Sequence, residues 1–307
     1  MKLICLSDIH GTSRIPRGRL GNPLDDFTSK LKFIFKLSKK LNDAPIIASG
    51  DLFDSPRDII ALFKFLSVTA KYPNISFFTV YGQHDMYFRN KKVVTNLGIL
   101  ERSGVITILN KKPYKLREKI KENNLYGCGW KDKIPKIKDD TAFNILSIHA
   151  PIYSEPIFPG QVLQKPNSWM KKNKGWDLVI SADIHRSFIK TASSGTILNT
   201  GPIMRLETSK YCMKHKPHLI VFDTETKEVE RIFIPCKSSK EVLNRNVAIK
   251  NKEVNSIENI FGNSDEMQEV KIYDVIEKLL RNSKNSKGIR EVLCSLSNEF
   301  KQGERHG

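Results

Sequence analysis

Five short polar segments, each closing an apolar stretch, constrain this chain more than any other feature. They are Asp8-Ile9-His10, Gly50-Asp51-Leu52-Phe53-Asp54, Gly82-Gln83-His84-Asp85, Ser147-Ile148-His149 and Asp183-Ile184-His185. Carboxylate, imidazole and amide groups are ligands that hard and borderline divalent cations take. Strand ends can hold such ligands rigidly around a shared crevice. A lone Asp-x-His is more often a turn at a strand end than a metal site. Five such segments in this order, holding four of the seven histidines, read as one two-metal site.

The spacing of apolar residues supplies the scaffold. Lys2 to Ser7, Pro45 to Ser49 and Ile75 to Tyr81 read as strands rich in β-branched and aromatic side chains. Between them, Leu24 to Leu41 carries Phe27, Leu31, Ile34 and Leu41 at helical spacing, and Asp58 to Lys71 does the same with Ile59, Leu62, Phe63 and Leu66. Strand alternating with helix argues for a largely parallel sheet with its ligands at the carboxyl edge. Val105 to Leu109, Leu125 to Gly127, Phe143 to Ile148 and Asp177 to Ser181 are further predicted strands. Ser187 to Leu198 is a predicted hairpin turning at Ser194-Gly195, and His218 to Phe222 pairs with Val229 to Ile234.

The motif order DIH, GDLFD, GQHD, SIH, ADIH resembles the D-x-H, G-D-x-x-D, G-N-H-D, H, G-H-x-H signature of the calcineurin-like metallophosphoesterases, over Met1 to about Pro235. Asp177 to His185 resembles the family's strand leading into its G-H-x-H, and Asn199-Thr-Gly-Pro-Ile-Met-Arg-Leu206 resembles the segment that follows it in the SbcD-type repair and recombination nucleases, some of them phage-encoded. The resemblance implies an α/β fold, a four-layer β-sandwich flanked by helices. It implies two divalent ions, manganese first and magnesium second, one held by Asp8, His10, Asp51 and His185. The other would be held by Asp51, Gln83, His149 and Asp183, with Asp51 bridging. The chemistry implied is in-line hydrolysis of a phosphoester. His84 would then stabilise the transition state or protonate the leaving oxygen. Asp54 or Asp85 would orient its ring. Buried hydrogen bonding is the plain alternative for His84.

Two positions depart from that pattern. Gln83 keeps the amide of the usual Asn but is one methylene longer, and Asp183 stands where a His is expected, after Ala182 in place of Gly. A more carboxylate-rich set favours manganese or magnesium over zinc. The alternative is that Asp183 does not ligate and the second ion is weak.

Net charge is +18. Residues 237–307 hold 13 Lys/Arg against 11 Asp/Glu, so the remaining chain carries +16. A polyanionic partner is one reading, and Lys used as a general surface filler is the other. Arg14, Arg17 and Arg19 follow the first motif, where a nucleic-acid backbone would pass or where a solvated loop would lie. The five cysteines are scattered without a Cys-x-x-Cys, which fits reduced thiols in the cytoplasm. For an SbcD-type enzyme the location would be the nucleoid, or a viral replication site. No apolar run reaches the ~18 residues of a membrane span, and the opening Met-Lys-Leu-Ile-Cys-Leu reads as a first strand, not a leader.

Residues 1–236 are therefore expected to form the catalytic domain, 237–252 a linker rich in Ser, Lys and Asn, and 253–307 a helical region. That region carries apolar faces at Ile272, Ile276 and Leu280 and at Ile289, Leu293 and Leu296. They pack on their own domain or dock on a partner. The resemblance implies a coiled-coil ATPase of the SbcC type, a homodimer and a 3′-to-5′ exonuclease, with endonuclease activity also open. No phosphate-binding Walker loop is present, so ATP hydrolysis would come from the partner. A two-metal DNA nuclease heads the functional readings. A small-molecule phosphodiesterase or phosphatase and an inactive DNA-binding scaffold are the alternatives.

Overall fold

The architecture is that of a computed structural model, which describes residues 1–88, 94–116 and 122–244. The first half runs β1 (Lys2–Leu6), α1 (Pro23–Lys40), β2 (Ile46–Ala48), α2 (Ile59–Thr69), β3 (Phe77–Thr79), α3 (Asn96–Arg102) and β4 (Thr107–Ile108). The chain continues through β5 (Tyr114–Leu116), β6 (Asn123–Cys128), β7 (Phe143–His149), α4 (Pro166–Lys172) and β8 (Leu178–Ala182). It closes with β9 (Phe188–Ala192), β10 (Gly195–Asn199), α5 (Lys210–Lys214), β11 (His218–Asp223), β12 (Val229–Phe233) and α6 (Ser239–Val242).

Two six-stranded mixed sheets result, ordered β12-β11-β1-β2-β3-β4 and β5-β6-β7-β8-β10-β9. β1 to β4 run parallel, as do β6, β7, β8 and β10, while β5, β9, β11 and β12 are antiparallel additions. β1 shows why the sheets stack. Its Leu3 and Cys5 join an apolar layer with Ile145, Leu178, Ile180 and Leu198 of the other sheet. Ile4 and Leu6, pointing the other way, meet Phe27, Leu31 and Ile34 of α1. A strand buried on both faces reads as a continuous apolar run, and this one does. On the outer face of the second sheet, Leu146, Ile148 and Val179 pack with Trp169 of α4 and Trp176. Layers of helix, sheet, sheet and helix are the α/β sandwich that the sequence predicts.

Local signals set the helix limits. Asn22 caps α1 by accepting from Leu24 N at 2.9 Å, with Pro23 in the first turn and Lys39 and Lys40 in the last. Asp58 caps α2 through Ala61 N at 3.0 Å. Differences from expectation are confined to short elements. The predicted strand from Val105 to Leu109 pairs only at β4, and α3, α4, α5, α6 and β5 have no counterpart among the predicted elements.

The start of the predicted linker is part of the body. Val242 and Leu243 are buried with Cys212, and Leu20 N and Asn244 N bond Val242 O and Gly18 O at 2.8 Å each. Residues 245–252 of that linker and the predicted helical region 253–307 lie outside the described residues. No helix among the described residues is long and apolar enough to cross a membrane. Cys5, Cys128, Cys212 and Cys236 are free thiols.

Candidate metal centre

A belt of buried serines joins the carboxyl ends of the two sheets. Ser7, Ser49, Ser147 and Ser181 are all fully buried. Ser7 Oγ donates to Ser181 O at 2.8 Å, Ser49 Oγ donates to Ile180 O at 2.7 Å, and the Ser49 and Ser147 hydroxyls lie 3.0 Å apart. Ser7 and Thr200 also exchange bonds of 2.9 Å, each backbone N–H donating to the other's hydroxyl. Each serine ends or nearly ends its apolar strand, one or two residues before a motif residue. A Ser closes the apolar run before four of the five motifs, the third being the exception.

Just beyond the belt the backbone turns sharply. His10, Asp51 and Asp183 hold positive φ of 51°, 48° and 77°. Non-glycine residues there are strained, and such strain gathers at functional sites. Gly50 and Gly82 make the approach of the loops feasible. A Cβ on Gly50 would lie 2.6 Å from His149 Nδ1, and one on Gly82 would collide with the Asp51 carboxylate. His10 N and Ile9 N both donate to Asp51 O, at 2.8 and 3.1 Å, which ties the first two motifs together.

The five segments meet at one place. His10 Nε2 and His185 Nε2 are 3.0 Å apart. His185 Nε2 is 3.9 Å from Asp8 Oδ1, and His10 Nε2 is 3.9 Å from Asp51 Oδ2. On the far side of Asp51, its Oδ2 is 3.4 Å from His149 Nε2. Gln83 spans the rest, with Oε1 2.7 Å from His149 Nε2 and Nε2 donating to Asp183 Oδ1 at 2.9 Å. Asp183 N in turn donates to Asp8 Oδ1 at 3.0 Å. Ligand atoms of Asp8, His10 and His185, of His10, Asp51 and His84, and of Asp8, Asp51 and His149 form three groups within 4.8 Å.

This donor set fits divalent cations. Asp8 Oδ2 and Asp51 Oδ2 are buried with no hydrogen-bond partner, which costs free energy unless a positive charge answers them. His149 Nδ1 faces Ser49 O at 2.7 Å, so it carries a proton and leaves Nε2 as the natural donor atom. Without a cation a second proton must stand at Nε2. Burial opposes that charge, but Asp51, Asp8 and Asp183 outweigh it and push His149 up to about 10. His10 behaves alike: burial lowers it, yet Asp54, Asp51 and Asp8 raise it to about 9. Burial lifts the Asp183 carboxyl, helped by Asp8 and Asp51. His10, His149 and Asp183 thus hold protons where cations would sit.

The remaining predicted residues take different places. His84 is held by its own loop, with N donating to Asp51 Oδ1 at 2.8 Å and Nδ1 facing Asp54 O at 2.9 Å. Its side chain stays 41 % exposed, with Nε2 left for other partners. The Asp54 backbone carbonyl therefore orients the ring. The Asp54 carboxylate leans on His10 Nδ1 at 3.4 Å. Asp85 does not orient His84. Its oxygens accept from Gly82 N and Phe53 N at 3.0 and 3.3 Å, which clamps the second and third motifs together. Burial and Asp51 push Asp85 up to about 7.

Arg19 is also a correction. It is 4 % exposed, with Nη1 donating to Arg205 O at 2.7 Å and Nη2 to Asp26 at 3.0 Å, so it serves the fold and cannot meet a substrate. Arg14 and Arg17 are exposed. The Asn199 to Leu206 segment supports the last motif, since buried Asn199 donates to Ile184 O at 2.9 Å. A cavity of about 270 Å³ opens beside His10, Asp54, His84 and His185, walled by Met204 and Leu206.

A family model for the calcineurin-like phosphoesterases matches residues 1–187. The chain belongs to that family, and membership makes it a metal-dependent phosphoester hydrolase. No curated protein matches it significantly. Among solved structures, an archaeal phosphodiesterase is 14 % identical over 76 % of this chain and 99 % of its own, with a TM-score of 0.41. The Thermus thermophilus sulfate thiohydrolase SoxB is 11 % identical, TM-score 0.47, and Haemophilus influenzae NAD nucleotidase is 11 % identical, TM-score 0.40. Both cover 81 % of this chain, which spans only 59 % and 55 % of their lengths. Likeness at this level says nothing of substrate.

Proposed function

We propose that the protein is a DNA nuclease that hydrolyses phosphodiester bonds with two divalent ions, manganese foremost. The observation that carries the DNA reading is the charge of +16 on residues 1–236, the part that bears every motif. Exposed Arg14 and Arg17, close behind the first motif, support it. Asp8, His10, Asp51 and His185 would hold one ion, and Asp51, Gln83, His149 and Asp183 the other. Such a pair, when bound, acidifies a water and neutralises charge at phosphorus. The chain's own residues do the rest. Asp51 stands between the two ligand groups. The Asp54 carbonyl fixes the His84 tautomer with the proton on Nδ1 in the resting state, so Nε2 is the atom at which a proton is exchanged. A protonated His84 gives that proton to the leaving alkoxide.

The resemblance to SbcD-type nucleases extends the proposal to a coiled-coil ATPase partner and a homodimer. A small-molecule phosphodiesterase is the second reading, favoured by the modest cavity beside His84. Manganese-dependent cleavage of end-labelled DNA, run beside a chromogenic phosphate bis-ester, separates the two. DNA cleavage supports the nuclease. Turnover of the bis-ester alone supports the small-molecule enzyme.

A further inference from the structure

Phe88 combines two features that seldom occur together. It is 85 % exposed, and its backbone sits in the left-handed region at φ 48°. A bulky residue there is strained, and a fold that tolerates such strain beside a catalytic loop points to a function for the ring. The ring is in edge contact with Tyr87, centroids 4.5 Å apart, and the Arg57 guanidinium lies 3.9 Å from the centre of the Tyr87 ring.

This assembly is carried by the loops that run on directly from the metal centre. Tyr87 and Phe88 follow His84-Asp85, and Arg57 follows Asp54, the two loops being joined at His84 Nδ1 and Asp54 O. Asp58, next to Arg57, accepts from Ser13 N at 2.6 Å and Ser13 Oγ at 2.8 Å, which anchors the loop that presents Arg14. Exposed Arg14, Arg57 and Phe88 are thus carried by loops that also carry, or are bonded to, the loops of the centre. A guanidinium stacked on an aromatic face keeps its N–H fork free for phosphate oxygens. Every nucleobase has a π face, so an aromatic platform grips an unpaired strand regardless of sequence. Paired, stacked bases offer no such face.

We propose that Phe88, braced by Tyr87 and Arg57, stacks on an unpaired base beside the phosphate being hydrolysed, with Arg57 and Arg14 on neighbouring phosphates. The proposal rests on the nuclease reading and narrows its substrate to single strands or frayed ends.

The test uses full-length, manganese-loaded protein and a single-stranded oligonucleotide containing 2-aminopurine, whose fluorescence falls on stacking. Phe88→Ala should raise KM for the oligonucleotide about tenfold, leave kcat nearly unchanged and abolish the quench. Phe88→Trp should restore both KM and quench. Phe88→Gly, which relieves the strained backbone, should melt no lower than wild type yet grip no better than Phe88→Ala, separating loss of the ring from loss of the fold. Wild-type KM and quench in Phe88→Ala would overturn the proposal. A wild-type protein that turns over the bis-ester but neither binds nor cleaves the oligonucleotide would instead overturn the nuclease reading beneath it.

Discussion

His84 has an environment suited to proton transfer. Its amide and Nδ1 are both engaged, by Asp51 Oδ1 and Asp54 O, while the ring remains partly exposed beside the cavity. His84→Asn should cut phosphodiester cleavage roughly 10²–10⁴-fold while manganese binding by calorimetry stays close to wild type. Wild-type rates in that variant would remove His84 from the chemistry. His215 makes a separate prediction. Its Nε2–H donates to Pro202 O at 2.9 Å and Nδ1 accepts from Tyr211 Oη at 3.1 Å, a neutral ring that burial and nearby cations lower to about 4. The unfolded chain binds a proton near 6.5 where the native one does not. The stability this gives is complete above 6.5 and is lost as pH falls from there toward 4. Melting curves across that window should fall less steeply for His215→Asn than for wild type; parallel curves would refute the assignment.

At this scale the motif positions were legible because metal ligands require a few residue types at strand ends. Arg19 and Asp85 were not. A loop arginine reads as exposed until Arg205 O and Asp26 enclose it, and an Asp beside a histidine reads as its partner until two backbone amides claim it.

Among the elements, α1 is fastened to the site by a buried charge cluster. Asp26 Oδ2 accepts from Arg19 at 3.0 Å and from Lys30 at 2.9 Å, and Lys30 Nζ also donates to Ile203 O at 2.6 Å. Ile203 N donates back to Asp8 O at 3.1 Å, so the cluster reaches the first metal motif. Asp26→Ala would leave two buried cations without a counter-charge, a loss of about 3–5 kcal/mol that urea unfolding can measure. A change below about 1 kcal/mol would place the pair among weak surface bridges. The long central strands and helices are readable from the sequence because the central strands are buried on both faces and the long helices on one. α3, α4 and α5 span five to seven residues each, too short for a helical period to register. The α6 segment was mistaken for linker because its polar sequence hides Val242 and Leu243, whose burial depends on Cys212 thirty residues earlier in the chain.

For the whole molecule, the metal centre exists only because two sheets meet. Asp8, His10, Asp51, Gln83 and His84 come from the edge of one sheet, and His149, Asp183 and His185 from the edge of the other. Neither sheet alone holds either proposed ligand set, so folding and metal binding are linked. A chain ending after Asn244 keeps this arrangement along with the packed Val242 and Leu243, and it should load metal as the full chain does. Ending at Lys237 instead strips two buried apolar side chains, worth about 1.5–3 kcal/mol each, and should lower the melting midpoint. Equal midpoints for the two truncations would contradict the packing assigned to α6.

Metal content decides whether this centre holds two ions. After equilibration with manganese and removal of free ion, elemental analysis should give two ions per wild-type chain. It should give one in Asp183→Ala, where the ligand set of His149 and Gln83 loses its second carboxylate, with phosphodiester cleavage lost alongside. One ion or none in the wild type, or two tightly held ions in Asp183→Ala, would contradict the centre described above.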